Sequence, residues 1–185
     1  MELNDFMPER LPLPLMPDVR LAVCRIESGP RGSRRRREQA AVNRLLDFFF
    51  PDGAVYAHRS DGSPYIEDCD SFVSVSHSAG YAAMVLSPSA GIGVDIEEMR
   101  PAQLRRVAER FLSERERRLF TSDSTLLWAW CAKEAVYKSA AMPGLGGPEI
   151  ELDSPFCSEA RVGASSFSLA TIFTIGYCMV VSRPE

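Results

Sequence analysis

Gly80-Tyr81-Ala82-Ala83-Met84-Val85 returns later in the chain as Gly176-Tyr177-Cys178-Met179-Val180-Val181. Each is a short apolar run opened by Gly-Tyr and reads as a β-strand, and each follows a helical pattern and an earlier strand. The echo is short. It hints at an α+β chain built from two similar lobes.

Outward from the first copy, Phe72 to Ser76, Tyr81 to Ser87 and Gly91 to Glu97 read as three strands whose short links predict an antiparallel meander. Upstream, Ser33 is placed to cap a helix from Arg34 to about Phe49, with Ala41, Val42, Leu45, Leu46 and Phe49 at helical spacing. Leu21 to Ile26 is a strand candidate, and the proline-rich residues 1 to 20 read as an extended arm. Downstream, Gln103 to about Phe120 and Ser124 to about Ala141 read as two helices. A breaker-rich loop follows at Met142 to Pro148, and strands at about 160 to 169 and 172 to 182 close the chain.

A length of 185 residues accommodates one ordinary domain or two small lobes, and 45% hydrophobic residues exclude a disordered or collagen-like chain. The net charge of −4 argues against a general nucleic-acid binder, since phosphate neutralisation needs a basic excess. Five cysteines without C-x-x-C spacing indicate neither a zinc site nor a disulfide framework. With no apolar run of membrane-spanning length and no signal-like N-terminus, the expectation is a soluble cytoplasmic protein without membrane association. Nineteen of the 21 basic residues are arginine, and the two lysines, Lys133 and Lys138, fall within one six-residue stretch.

Four stretches carry potential chemistry. In Gly93-Val94-Asp95-Ile96-Glu97 the alternation puts Asp95 and Glu97 on one strand face about 6–7 Å apart, where both could bind a cation such as Mg²⁺. An amphipathic strand with a solvated acidic face is the plainer meaning of an isolated D-x-E. In Trp130-Cys131-Ala132-Lys133-Glu134-Ala135-Val136-Tyr137-Lys138, Glu134 and Lys138 share a helix face, and Lys133 lies about 100° from Glu134. Cations thus flank Glu134. A surface ion pair would explain this pattern, but the helix is apolar around most of its circumference, which favours a polar site over open water.

Ser74-Val75-Ser76-His77-Ser78 ends a strand with hydroxyls and an imidazole that could converge on an anion, or form a plain turn. In Arg31-Gly32-Ser33-Arg34-Arg35-Arg36-Arg37, cations crowd a helix start where they oppose the dipole unless an anion is bound. Separately, seven arginines between Arg100 and Arg118 include helical pairs such as Glu114 with Arg118; the remainder could dock an acidic partner.

Taken in order, Ser76-His77-Ser78, Gly93 to Glu97, Phe111-Leu112-Ser113 with Glu116, and the W-x-x-K-E-A-x-x-K of Trp130 to Lys138 resemble the Sfp-like phosphopantetheinyl transferases, over roughly residues 20 to 182. The resemblance implies an α+β pseudo-dimer of two similar lobes, each a helix packed on a small antiparallel sheet. It divides the chain into an N-terminal lobe, residues 1–98, and a C-terminal lobe, residues 99–185. It further implies that the phosphopantetheine arm of coenzyme A is transferred to a serine of an apo carrier protein, releasing adenosine 3′,5′-bisphosphate.

By the same resemblance, Asp95, Glu97 and Glu134 would hold Mg²⁺, with Mn²⁺ as a possible substitute, and Glu134 is also a candidate general base. Lys133 and Lys138 would contact the phosphates, with Lys138 counted among the catalytic residues. Ser76 and His77 would bind phosphate groups of coenzyme A, Gly62 to Pro64 would line the adenine region, and Arg37 is the candidate for the 3′-phosphate. Many relatives carry a basic residue where this chain has Ser63. The carrier would dock near residues 100–118, and a monomer is the simpler expectation. The competing readings are a Mg²⁺-dependent phosphohydrolase using the same carboxylates, and an inactive module that binds coenzyme A or the carrier.

Overall fold

A computed structural model describes residues 6–29 and 33–185. The fold is α+β, and the chain divides into two compact units, Met1–Ala90 and Gly91–Glu185. Among the described residues no helix is long and apolar enough to cross a membrane.

The first unit contains β1 (Glu9–Leu11), β2 (Arg20–Arg25), α1 (Arg34–Phe49), β3 (Tyr56–His58), β4 (Pro64–Ile66), β5 (Phe72–His77) and β6 (Tyr81–Ser87). Four strands form an antiparallel sheet in the order β1-β2-β6-β5, and β3 and β4 pair as a separate ribbon. The proline-rich arm is thus an edge strand, followed by an anchor whose Leu13, Met16 and Val19 are buried. The helical spacing of Ala41, Val42, Leu45 and Leu46 puts them on one stripe of α1. That stripe shares a core with the alternate residues Ala22 and Cys24 of β2 and Ala82, Met84 and Leu86 of β6. Ser33 is the N-cap residue but caps nothing with its side chain, because Arg37 donates to its hydroxyl oxygen.

The second unit contains β7 (Gly93–Glu97), α2 (Pro101–Phe111), α3 (Glu114–Leu119), α4 (Asp123–Ala140), a 3-10 turn at Gly147–Glu149, β8 (Ile150–Glu151), β9 (Glu159–Val162), β10 (Ser165–Phe173) and β11 (Cys178–Pro184). Its antiparallel sheet runs β7-β11-β10-β9-β8. The core joins Leu127, Trp128, Cys131 and Ala135 of α4 to Phe167 and Leu169 of β10 and Cys178 and Val180 of β11. Trp128 is fully buried, and its indole donates to the Thr171 hydroxyl at 2.9 Å. The two echoing segments reach matching places: β6 and β11 are both inner strands of their sheets.

Three sequence expectations need correction. The helix expected from Gln103 to about Phe120 is two helices, because Ser113 and Glu116 form a capping box that starts α3 afresh. The expected meander stops after β6: β7 pairs with β11, with Gly93 opposite Ser182 and Glu97 opposite Cys178. The lobe boundary therefore lies at Ala90/Gly91 rather than at 98/99, since the ladder hydrogen bonds of β7 are made within the second sheet.

Candidate active site

The acidic strand and the lysine-bearing helix meet inside the second unit. Alternation along β7 turns Asp95 and Glu97 to one face, the face that carries Cys178 and Val180 on the neighbouring β11 and is covered by α4. Asp95 is buried at 6% exposure, and its Oδ1 accepts a hydrogen bond from Lys138 Nζ at 2.9 Å. Lys138 Nζ also donates to the Val94 carbonyl at 2.8 Å. Glu97 is half-buried and pairs with the Arg100 guanidinium. Glu134 lies one turn before Lys138 on the same helix face.

These acids interact electrostatically. Burial pushes the Glu134 carboxyl above the ordinary carboxylate range; Asp95 and Glu97 add repulsion, and Lys138 opposes them. Burial also pushes Glu97 up, against the pull of Arg100 and with a further push from Asp95. Glu97 and Glu134, both pushed up, stand with Asp95 as carboxylates with oxygen donors only, a donor set of the chemistry that Mg²⁺ accepts. As they stand, no three acidic, histidine or cysteine side chains among the described residues are grouped to hold a metal ion. The Lys138 ammonium and the Arg100 guanidinium already occupy Asp95 and Glu97. A divalent ion would exchange those contacts for its own.

Lys133 departs from its sequence reading. Its ammonium lies 2.9 and 2.8 Å from the two Glu116 oxygens and 2.9 Å from the Gly147 carbonyl, and also donates to the Ile150 carbonyl. Glu116 in turn accepts from the backbone amides of Leu152 and Ser113. Both side chains are almost fully buried, at 3% and 2% exposure, so Lys133 is committed to an internal brace and not presented to a phosphate. The reason is angular: a step of one residue rotates the side chain by about 100°, which carries Lys133 off the face of Glu134 and Lys138. Burial pushes the Lys133 ammonium pKa down, and Glu116 holds it partly up.

The remaining predicted residues sit in the first unit. Ser76 is buried at the end of β5; His77 is exposed, with Nδ1 3.6 Å from Glu38 Oε1, which also accepts from Arg34 Nε at 2.6 Å. Gly62 (φ +85°) turns the ribbon into β4, where Pro64 pairs with His58, and Ser63 Oγ donates to Asp61 Oδ1 at 2.6 Å. Arg37 is half-buried against Gly29 and Ser33, while Arg31 and Gly32 of the basic run lie outside the described residues.

Of the seven arginines from 100 to 118, Arg100, Arg105, Arg115, Arg117 and Arg118 are in ion pairs with Glu97, Asp123, Asp153, Glu109 and Glu114. The surface is therefore far less basic than its arginine count. Sequence reasoning missed two participants: Arg100 as the partner of Glu97, legible as an i,i+3 pair, and Glu116 as the partner of Lys133, which no local spacing signals.

Residues 91–177 match the family model of the 4′-phosphopantetheinyl transferase superfamily. The matched span contains Asp95, Glu97, Glu134 and Lys138. Comparison with curated proteins returned no match.

Proposed function

We propose that this chain transfers the 4′-phosphopantetheine arm of coenzyme A to a serine hydroxyl of an apo carrier protein, with Mg²⁺. The observation that carries the reading is the meeting of Asp95, Glu97, Glu134 and Lys138 within the segment matched to the transferase superfamily. In this reaction the serine oxygen forms a bond to the β-phosphorus while the pyrophosphate P–O bond breaks, and adenosine 3′,5′-bisphosphate leaves. Such a displacement needs positioning and charge stabilisation more than covalent help from the protein.

Asp95, Glu97 and Glu134 would hold the metal, which when bound supplies positive charge against the pyrophosphate. Lys138, which also donates to the Val94 carbonyl, would remain as a second cation beside that position. A compact ammonium suits a crowded site better than a planar guanidinium. Glu134 has the proton affinity of a serviceable acceptor for the serine proton, because burial and its acidic neighbours raise it.

The test is intact-mass analysis of apo carrier proteins incubated with this protein, coenzyme A and Mg²⁺. Addition of one phosphopantetheine mass that is lost with EDTA is expected. No addition to any of several carriers overturns the reading, and phosphate-ester turnover without a carrier would replace it with a phosphohydrolase.

A further inference from the structure

Gly93 opens β7 and is buried against the backbone of α4. A Cβ built on it would lie 2.0 Å from the Ala135 carbonyl oxygen, 2.9 Å from the Ser139 amide nitrogen and 3.0 Å from the Ala135 carbonyl carbon. All three are main-chain atoms of a helix, so no rotamer change relieves the contact. Restoring even the tightest separation that real Cβ atoms tolerate, 3.0 Å, requires a shift of about 1 Å between strand and helix. The neighbourhood is built for this approach: Ser182, opposite Gly93 on β11, hydrogen-bonds to Ser139 at 2.9 Å between hydroxyl oxygens, and both serines are buried.

The approach has a chemical consequence two residues on. Lys138 reaches from α4 to the backbone of β7 at Val94 and to the carboxylate of Asp95 with a single ammonium. Both contacts require β7 to lie directly on the helix, and so does the electrostatic pressure of Asp95 on Glu134. We infer that Gly93 is the positioning residue of the acid cluster: its missing side chain sets the distance between β7 and α4 at which Asp95 and Glu134 can share one metal ion, with the Lys138 ammonium held beside them on the Val94 carbonyl. The inference rests on the proposed Mg²⁺-dependent transfer and assigns Gly93 a role in metal binding that stability alone does not describe. A misplacement of about 1 Å costs on the order of 100-fold in a preorganised site.

The test uses Mn²⁺ alone as the probe, titrated into the full chain and followed by electron paramagnetic resonance. The wild type is expected to bind. Gly93→Ala is expected to remain folded by circular dichroism but to bind Mn²⁺ at least about tenfold more weakly, with kcat for carrier modification falling about 10- to 100-fold and the carrier KM little changed. Val162→Ala, a truncation in the same core, serves as the stability control and should bind Mn²⁺ as the wild type does.

Equal Mn²⁺ affinity in Gly93→Ala and wild type overturns the inference and leaves the transferase reading standing. A wild type that binds no Mn²⁺ removes the metal reading and the inference with it. If Gly93→Ala does not fold, hydrogen exchange on the wild type decides: Mn²⁺ should slow the amides of Val94–Ile96 and Ala135–Ser139 together, and no change in either segment refutes the role.

Discussion

Replacing Lys133 by methionine separates two incompatible roles for that residue. As a phosphate ligand it would leave the ligand-free protein about as stable as before and would weaken coenzyme A binding. As the buried partner of Glu116 it does the reverse. The substitution strips Glu116 of the Lys133 ammonium and removes that donor from the Gly147 and Ile150 carbonyls, in a place where neither charged side chain exceeds 3% exposure. Removing one partner of a buried ion pair costs about 3–5 kcal/mol.

In a chain of this size each kcal/mol shifts Tm by roughly 2–4 °C, so Lys133→Met should melt about 6–20 °C below wild type. Because both partners can be replaced with less harm than one, the double variant Lys133→Met with Glu116→Leu should recover part of that loss. Differential scanning calorimetry without ligand reads the stability, and isothermal titration with adenosine 3′,5′-bisphosphate reads the phosphate contact. A Lys133→Met protein that melts within about 1 °C of wild type but binds the nucleotide tenfold more weakly would refute the brace and restore the sequence reading.

Three other outcomes follow from the same geometry. Burial, with a further push from Asp95, raises the Glu97 and Glu134 carboxyls on folding, so from the ordinary value of 4.5 up through the raised values the native chain holds protons that the unfolded chain has released. Their stabilising contribution is full below that window and is lost as pH rises through it. Mg²⁺ should add more to Tm at pH 7.5 than at pH 5, and an equal effect at both would argue against these acids as its site.

Asp95→Ala should abolish transfer, whereas Lys138→Met should lower kcat with a smaller effect on the KM for coenzyme A. Wild-type turnover in the Asp95 variant would show the metal site to be misplaced. Arg105 is held by Asp123, while Arg106 Nε donates to the Ala102 carbonyl on its own helix. If a carrier is steered by charge here, stopped-flow association at low salt should slow more for Arg106→Glu than for Arg105→Ala, and unchanged rates for both would remove that docking surface.

What was legible along the chain was whatever depends on local periodicity. Alternation in Gly93-Val94-Asp95-Ile96-Glu97 identifies a strand with both acids on one face, and helical spacing identifies α1 and α4 nearly to their ends. The Ser113 to Glu116 capping box is also present as a pattern, inside the stretch whose spacing predicts one continuous helix. The strands β1, β3, β4 and β8 are two or three residues long and offer too few positions for alternation to register.

Sequence alone thus determined the α+β class, the strand that carries Asp95 and Glu97, and the helix face that Glu134 shares with Lys138, because side-chain direction follows from the backbone period. Tertiary structure decided which sheet receives β7, how near it lies to α4, and where the two lysines go. Those outcomes depend on partners far apart in the chain: β11 for the ladder of β7, the Ala135 carbonyl for the approach of Gly93, and Glu116 for Lys133. Two lysines that look equivalent five residues apart become a buried brace on Glu116 and the partner of Asp95, since only the packed helix determines which of its faces meets a carboxylate already in place.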